Sequence, residues 1–376
     1  MEIKITIICL IGQLGNGGSE KQLYLFLKYL DKDKYSPVVV VSSICTESRW
    51  EKQIRDELLV PVIFLGNIPK ILKFVKFAWL VFKKRASIVF SWSFYTNAFF
   101  IVCPGIKFIG SLRGDLFIAK SQIGPVNYKY SLKPNYFVVN SRFLAKELTL
   151  EGIPMENISV VYNMFVHEHC SVEPSKRAEE RNILRKKMGI PQDAVVVAGI
   201  GRNSFEKDLP FFLSVFEKAS SSDKIIFGLL IGDIDKSIRD KIREMNLQDR
   251  FVLTGEVESA RKILPAADIF FLSSVSEGMP NSLIEAIDAG CAILATDVGG
   301  VWEILEPLGT DITGKIIVSD REVPSASDKL LFLSQNPCFR KKIMEGRMKI
   351  LERFNPDKIM KDYCMILEHL SPPDQM

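Results

Sequence analysis

No stretch of the 376-residue sequence approaches the ~20 consecutive apolar residues that a membrane-spanning helix needs. Low-complexity tracts are missing as well. With 47% hydrophobic and 25% charged residues, the composition excludes a disordered chain and gives no sign of a fibrous one. Cysteine is sparse: seven residues (Cys9, Cys45, Cys103, Cys170, Cys291, Cys338, Cys364), odd in number, scattered and without a Cys-x-x-Cys pair. Neither a disulfide framework nor a zinc site is expected from them, and a reducing cytoplasm is the expected setting. The opening "MEIKITIICLIG" has too short an apolar run, and an acid too near its start, for a signal peptide; its alternation suits a first β-strand.

What is present is length enough for two domains of ordinary size, each with its own core. The net charge of +4 is unevenly spread, because residues 1–170 carry 21 Lys and Arg against 13 Asp and Glu. The front half is therefore the basic half, which favours an anionic partner there, with plainly solvated charge as the alternative. Nothing points to nucleic acid as the partner.

Strand-like apolar runs alternate with helical patterns in both halves, the signature of parallel sheets joined by crossover helices. In the front half the expected strands are "ITIICLI", "SPVVVVSS", "VPVIFLG", "SIVFSW", "KFIGSL", "YFVVNS" and "SVVYN". The back half offers "AVVVAGIG", "IFGLLIG", "RFVLTG", "DIFFLSS", "CAILATD" and "GKIIVS". Each set can fill one doubly wound sheet. The expected organisation is an α/β chain with Rossmann-like domains over 1–166 and 186–354, a polar linker at 167–185, and a terminal helix within 355–376 packing back across that linker. Two such domains facing across a cleft bind ligands beyond the C-terminal ends of their strands, so chemistry is sought in the loops that follow strands.

Three such loops stand out. "GQLGNGGSEKQ", Gly12 to Gln22, follows the first strand, and its glycines let backbone approach a ligand at a helix start. It fails as a dinucleotide fingerprint, because Glu20 takes the place of the third glycine and no acid ends the second strand. "GIGRNSFEKDLP" carries Arg202 and Lys207, which can reach inward to bracket a diphosphate; a solvated face is the plain alternative. "SSVSEGMPNSLIEAIDAG" puts Glu277 on a loop and Glu285 about two turns into a helix, with Pro280 suited to the helix start and Gly290 to its stop. Between the two acids, the amides near Met279, Pro280, Asn281 and Ser282 form a helix N-terminus able to donate to sugar or phosphate oxygens. Taken singly, the acids also fit a helix-start charge plus an exposed helical glutamate.

Taken together, these segments resemble the retaining GT-B glycosyltransferases of the family-four type. "EGMPNSLIE" looks like their E-x7-E motif, "GIGRNSFEKDLP" like their Gly-Arg…Lys segment, and "TDVGGVWEI" like their Gly-Gly-x-x-Glu loop. In the front half "LGNGGSEKQL" looks like their glycine-rich loop, and "VVNSRFLAKEL…ISVVYN" like the passage before the linker. The resemblance spans nearly the whole chain.

It implies a transferase that moves a sugar from a nucleotide-diphosphate donor, uridine diphosphate on family prevalence, to a hydroxyl of a glycan or lipid-linked acceptor in surface polysaccharide synthesis. Arg202 and Lys207 would hold the diphosphate and Glu285 the ribose hydroxyls. Glu277 would meet the donor sugar together with Gly278, Met279, Pro280, Asn281 and Ser282, and Gly17 and Gly18 would close over the phosphates. Arg202, Lys207 and Glu277 carry the catalytic assignment, and no cofactor or metal is expected. Glu20, Asn97 and Arg113 are assigned to the acceptor.

Arg113 ends the strand where many relatives place a histidine, and the earlier strand, which carries it in others, has Phe90 and Trp92 here. An arginine side chain is no general base near neutral pH, so Arg113 is expected to bind an anionic group. Asp233-x-Asp235 and the histidines of "HEH", 167–169, are expected in a plain turn and in a solvated loop, not in metal sites. The segment 69–85, "PKILKFVKFAWLVFKKR", mixes basic and aromatic residues and could lie on an anionic membrane surface at the inner face of the cell membrane; an ordinary crossover helix is the alternative. Two rival functions remain open: a sugar-nucleotide-binding protein without transfer, and a sugar-nucleotide epimerase on the same fold.

Overall fold

A computed structural model describes residues 4–15, 17–43, 48–168, 173–201, 204–223 and 225–371. The chain divides into two compact units, Met1–Met164 together with Phe354–Met376, and Phe165–Arg353.

The first unit is built on seven parallel strands, β1 (Ile5–Ile11), β2 (Tyr35–Val41), β3 (Val62–Phe64), β4 (Ile88–Ser91), β5 (Lys107–Leu112), β6 (Tyr136–Val139) and β7 (Ile158–Val160), in the order β3-β2-β1-β4-β5-β6-β7. Because side chains alternate along a strand, β1 feeds two cores. Ile5, Ile7, Cys9 and Ile11 point to one face, where Phe26, Phe90, Trp92 and Tyr363 pack; Ile8 and Leu10 point to the other, with Phe77, Leu80 and Phe99. The first of these faces is covered by helix Gly18–Tyr29 and by the terminal helix Pro356–Leu370, whose start is set by the Asn355 side chain accepting from the Asp357 and Lys358 amides. The terminal helix is thus part of the first unit, held by Ile359, Tyr363 and Leu367. Gln22 closes this unit in sequence: its amide nitrogen donates to Met164 O at 2.9 Å and its oxygen accepts from Met164 N at 2.7 Å.

The second unit carries six parallel strands, β8 (Val195–Ile200), β9 (Ile226–Ile231), β10 (Phe251–Leu253), β11 (Ile269–Leu272), β12 (Ala292–Thr296) and β13 (Ile317–Val318), ordered β10-β9-β8-β11-β12-β13. All thirteen expected strands form, and both sheets reverse their winding direction beside their first strand. Such a reversal opens a crevice at the carboxyl ends of the two strands that flank it: β1 and β4 in one unit, β8 and β11 in the other.

The segment expected as a linker is structured for much of its length. Pro174–Met188 forms a helix that ends on Gly189 at a φ of 71°. Arg185 on this helix is fully buried, donating to Ala266 O at 2.9 Å, Ala194 O at 2.8 Å and Asp268 Oδ2 at 2.6 Å. Burial pulls its guanidinium below the usual arginine range, and the Asp268 carboxylate opposes that fall. Asp268 also accepts from Val196 N at 2.7 Å, so the helix is clamped to the N-terminal ends of β8 and β11, the opposite end of the sheet from the crevice. Low mean hydropathy in this segment hid a helix that docks through one satisfied charge.

Candidate functional site

In the second unit the loops after β8 and β11 come together at the winding reversal. Lys207 Nζ lies 2.6 Å from Glu277 Oε1, joining two residues seventy positions apart. Ser274 Oγ donates to the same carboxylate oxygen at 2.8 Å, and Ser273 Oγ donates to Lys207 O at 2.8 Å. The side chains are 27% and 14% exposed, so the pair is shielded on most sides yet open to a ligand. A backbone bond from Val275 N to Glu206 O, 2.9 Å, sets the two loops side by side.

Arg321, not singled out from the sequence, and Gly299 of the Gly-Gly-x-x-Glu loop hold this arrangement. Arg321, after β13, donates to Ser273 O at 3.2 Å and to Asp208 Oδ2 at 2.6 Å, and its guanidinium lies 4.8 Å over the Phe211 ring. Asp208 in turn accepts from Phe211 N and starts helix Leu209–Ser222 from a left-handed φ of 44°. The signal that could have found Arg321 is its place directly after a strand, in a short polar loop. Gly299, in the loop after β12, has a φ of 51°, and a Cβ there would collide with the Glu277 carbonyl. Gly300 N donates to Gly278 O at 2.8 Å. Glycine at 299 is thus what lets the β12 loop press on the Glu277 loop.

Helix Asn281–Ala289 begins beside Glu277, with Pro280 as its N-cap rather than its first residue and no side chain capping it. At this helix start the macrodipole favours negative charge. Ser282 Oγ is buried there with no hydrogen-bond partner among the described residues. Met279 is buried at the bend, while Asn281 and Ser282 are half-buried. Glu285 lies four residues into this helix, a little over one turn and not two, which returns it to the Asn281 side at 100° per residue. It is half-buried, opposite the fully buried Leu283 and Ile284. Arg202 falls outside the described residues.

In the first unit the glycine-rich loop has an occupant of its own. Glu20 is 6% exposed, and its carboxylate accepts from Gly15 N at 3.3 Å. A Cβ at Gly17 would stand 2.5 Å from Glu20 Oε2, so the glycine makes room for this acid. A carboxylate seated at the start of helix Gly18–Tyr29 uses the helix dipole and repels a phosphate. The acceptor role assigned to Glu20 is corrected on the ground of that burial. Asn97 is corrected too: it is fully buried, and both ends of its amide are spent on Ser111, Nδ2 to Ser111 O and Ser111 N to Oδ1, each 3.1 Å. It clamps β5 to the 94–102 turn.

Arg113 behaves differently. Its guanidinium lies 4.2 Å over the Trp92 ring, and Nη2 donates to Tyr363 Oη at 3.0 Å. Its Nε and Nη1 are buried without a hydrogen-bond partner among the described residues. An arginine fork held flat by an aromatic face, with two donors unspent, is suited to a planar or tetrahedral anion. The chain after it is tethered by Glu147, whose Oε2 accepts from Leu116 N at 3.2 Å.

Burial, with the neighbouring Asp115 and Glu151 carboxylates, raises the Glu147 carboxyl from an ordinary 4.5 to about 7. A carboxyl raised in the folded state gives stability that is complete below about 4.5 and is lost as pH rises through about 7. Glu147→Gln, which is neutral throughout, removes this loss. The melting temperature of the native chain should therefore fall relative to the variant between pH 5 and pH 8, and parallel curves across that range would refute the assignment.

Asp235 caps helix Lys236–Glu244 by accepting from Ile238 N at 3.1 Å, an ordinary turn role. His167 packs against Phe165 and faces the buried Asp288 at 3.8 Å, so it is not simply a solvated loop residue; His169 falls outside the described residues. No described helix is long and apolar enough to cross a membrane.

Residues 194–336 match the family described as "Glycosyl transferases group 1", which covers the strands, loops and helix that build this site. The fold is that of the GT-B glycosyltransferases. Sequence relatives of this family include a Bacillus subtilis protein named for teichuronic acid biosynthesis, TuaC, 34% identical over 125 residues, 33% of this chain and 30% of that protein. Another is the N-acetyl-alpha-D-glucosaminyl L-malate synthase of Bacillus anthracis, 23% identical over 219 residues, 56% of this chain and 53% of that protein. In each of these relatives the matched segment is less than two thirds of the protein. Among solved GT-B structures, Anabaena Alr3699/HepE in complex with UDP and glucose superposes with a TM-score of 0.80 over 97% of this chain and 99% of that one, at 16% identity. At that identity the likeness speaks for the fold.

Proposed function

We propose that the chain is a retaining glycosyltransferase that moves a sugar from a UDP-sugar to a hydroxyl of a glycan or lipid-linked acceptor in the synthesis of a cell-surface polysaccharide. The observation that carries this reading is the Lys207–Glu277 pair, set at the winding reversal of the second sheet beside an uncapped helix start. Departure of a nucleoside diphosphate builds negative charge; Lys207 and the positive end of helix Asn281–Ala289 are assigned to that charge, without a metal ion. Arg202 joins them on the family resemblance. Glu277 holds Lys207 in place and offers its second oxygen to hydroxyls of the donor sugar, and Glu285 is assigned to the ribose. Attack comes from the face the leaving group departs, with a phosphate oxygen taking the acceptor proton, which retains the anomeric configuration. The polysaccharide setting draws on the Bacillus subtilis relative, and the base on the UDP complexes of HepE. Arg113, with two unspent donors, is assigned to an anionic group of the acceptor.

The experiment is a melt with and without UDP, followed by transfer assays across a panel of UDP-sugars with the product anomer read by NMR. Binding at one hundred times the dissociation constant adds ~2.7 kcal/mol and raises the melting temperature accordingly. Arg113→Ala should raise KM for acceptor and leave the UDP shift intact. No shift with UDP and no transfer from any donor would sink the proposal. A UDP shift with no product from any donor would turn the reading to a binding protein, and an inverted anomer would remove retention.

A further inference from the structure

We propose that the first unit binds an anionic phospholipid of a membrane surface, with the phosphate at Lys70 and Lys73, one hydrocarbon chain in the cavity beside them, and the outer face of helix Lys70–Lys83 on the bilayer. This goes beyond the transfer reading and stands apart from it, since every residue involved lies in the first unit.

The helix shows two apolar faces where a crossover helix needs one. Phe77, Leu80 and Val81 are buried against the sheet. On the other side Ile71, Val75, Trp79 and Phe82, spaced four, four and three apart, are 77%, 60%, 53% and 84% exposed. Single exposed apolar residues are ordinary on a surface, but four along one helical face form a stripe with nothing over it among the described residues. Lys83 Nζ sits 4.4 Å from the centre of the Trp79 ring, the position of an ammonium at the edge of an apolar layer. Lys76, by contrast, is spent inside the fold, donating to Phe64 O and Leu65 O at 3.0 Å each.

At the start of this helix is a cavity of about 470 Å³, within the size range of small-ligand sites. Phe74, Phe99, Ile101, Val126 and Tyr130 line it, with Lys70 and Lys73 beside them. Phe74 stacks on Phe99 at 4.3 Å and makes one rigid wall. The helix has no acid in its first turn and no side-chain cap, so its N-terminal amides add to the charge of the two lysines.

Charge decides among occupants. Residues 58–146 hold 13 Lys and Arg and a single acid, Asp115. A second copy of this chain meeting the stripe isologously would bring the same basic surface against itself. A lipid phosphate with its chain answers the lysines and the apolar lining with one molecule, and the stripe then rests in the interface as surface-lying amphipathic helices do.

The test is flotation of the full chain on phosphatidylglycerol vesicles and on phosphatidylcholine vesicles at low salt. Recovery on phosphatidylglycerol should exceed that on phosphatidylcholine by about tenfold or more, and either double change, Lys70→Glu with Lys73→Glu or Ile71→Asp with Phe82→Asp, should cut it at least about tenfold. Phosphatidylglycerol brominated along its chains should quench tryptophan emission in the native chain but much less in Trp79→Phe. For the cavity, dodecyl phosphate below its micellar concentration should raise the melting temperature, more than inorganic phosphate does, and not in the Lys70→Glu, Lys73→Glu variant. All the changed side chains are half-buried or exposed, and melting curves without ligand check that the variants fold. Recovery that ignores lipid charge or both double changes overturns the proposal, as does the lack of any dodecyl phosphate shift. Self-association abolished by Ile71→Asp with Phe82→Asp, in a chain that does not float, would assign the face to a second copy and overturn it equally. A UDP melt on the same variants reads the second unit independently, so a failure of the donor assignment is told apart from a failure here.

Discussion

Glu277→Ala lowers kcat for sugar transfer by about a thousandfold while UDP binds as tightly as before or tighter. The size follows from removing a preorganised group that the proposed function places on the reacting sugar, where losing one such contact costs ~10²–10³ in rate. Unchanged or improved nucleotide affinity follows from the pairing: Glu277 Oε1 shares Lys207 Nζ at 2.6 Å, and without that carboxylate the whole ammonium charge is free for the diphosphate. Lys207→Ala behaves in the opposite way. It removes the charge-assisted bond proposed to the nucleotide, worth ~1.5–3 kcal/mol, and so weakens UDP by roughly ten- to a hundredfold. It also leaves Glu277, 14% exposed, with the neutral Ser274 as its side-chain donor among the described residues. Titration calorimetry with UDP and initial rates of transfer check both. A Glu277→Ala enzyme within tenfold of native turnover, or one that has lost UDP together with transfer, would remove Glu277 from the donor sugar.

The strands and the pairing were legible for a physical reason. Runs such as "VVVAGI" and "IFFL" are buried on both faces, so they carry continuous apolar sequence with glycine and polar residues only at their ends. A winding reversal then brings the loops after β8 and β11 together, and the acids and lysines found in those loops had to meet. Burial of polar side chains was not legible. Asn97 and Glu20 look like ligand-binding residues in the sequence, because a polar side chain in a glycine- or serine-containing segment reads as exposed. Only the fold reveals that the Asn97 amide replaces a missing backbone partner for Ser111 and that the Glu20 carboxylate fills its own loop. Arg185 is the same lesson inverted, a fully buried cation inside a strongly polar helix, paired with Asp268 across eighty-three positions. Arg321 escaped notice because its work is to bind carbonyls of a neighbouring loop, and no residue near it in sequence marks that partner.

Gly299→Ala separates the loop contact from ordinary backbone strain, and the expected effect is large on stability and on turnover alike. Gly255 is the control. It has a φ of 70° with nothing within 4 Å of a Cβ, so Gly255→Ala costs only the left-handed penalty, ~1–2 kcal/mol. Gly299 has a φ of 51° and would in addition drive its Cβ into the Glu277 carbonyl and close on Gly278 O, both backbone atoms that no side-chain rotation can clear. Relief requires moving the Glu277 loop, which Thr296 Oγ1 holds through Ser274 O at 2.6 Å. Breaking that set of contacts puts Gly299→Ala at ~3–5 kcal/mol, the range of overpacked or strained sites. For domains of this size each kcal/mol lowers the melting temperature by roughly 2–4 °C, so a drop of about 6–20 °C is expected, against about 2–8 °C for Gly255→Ala. Turnover below the melting range should fall with it, since a shift of about 1 Å in Glu277 is enough to lose about a hundredfold. Differential scanning calorimetry on both variants and transfer rates at a temperature where each is folded decide the matter. Equal melting temperatures for the two would mean that the β12 loop moves freely of Glu277. A folded Gly299→Ala enzyme with native turnover would mean that the position of Glu277 does not set the rate.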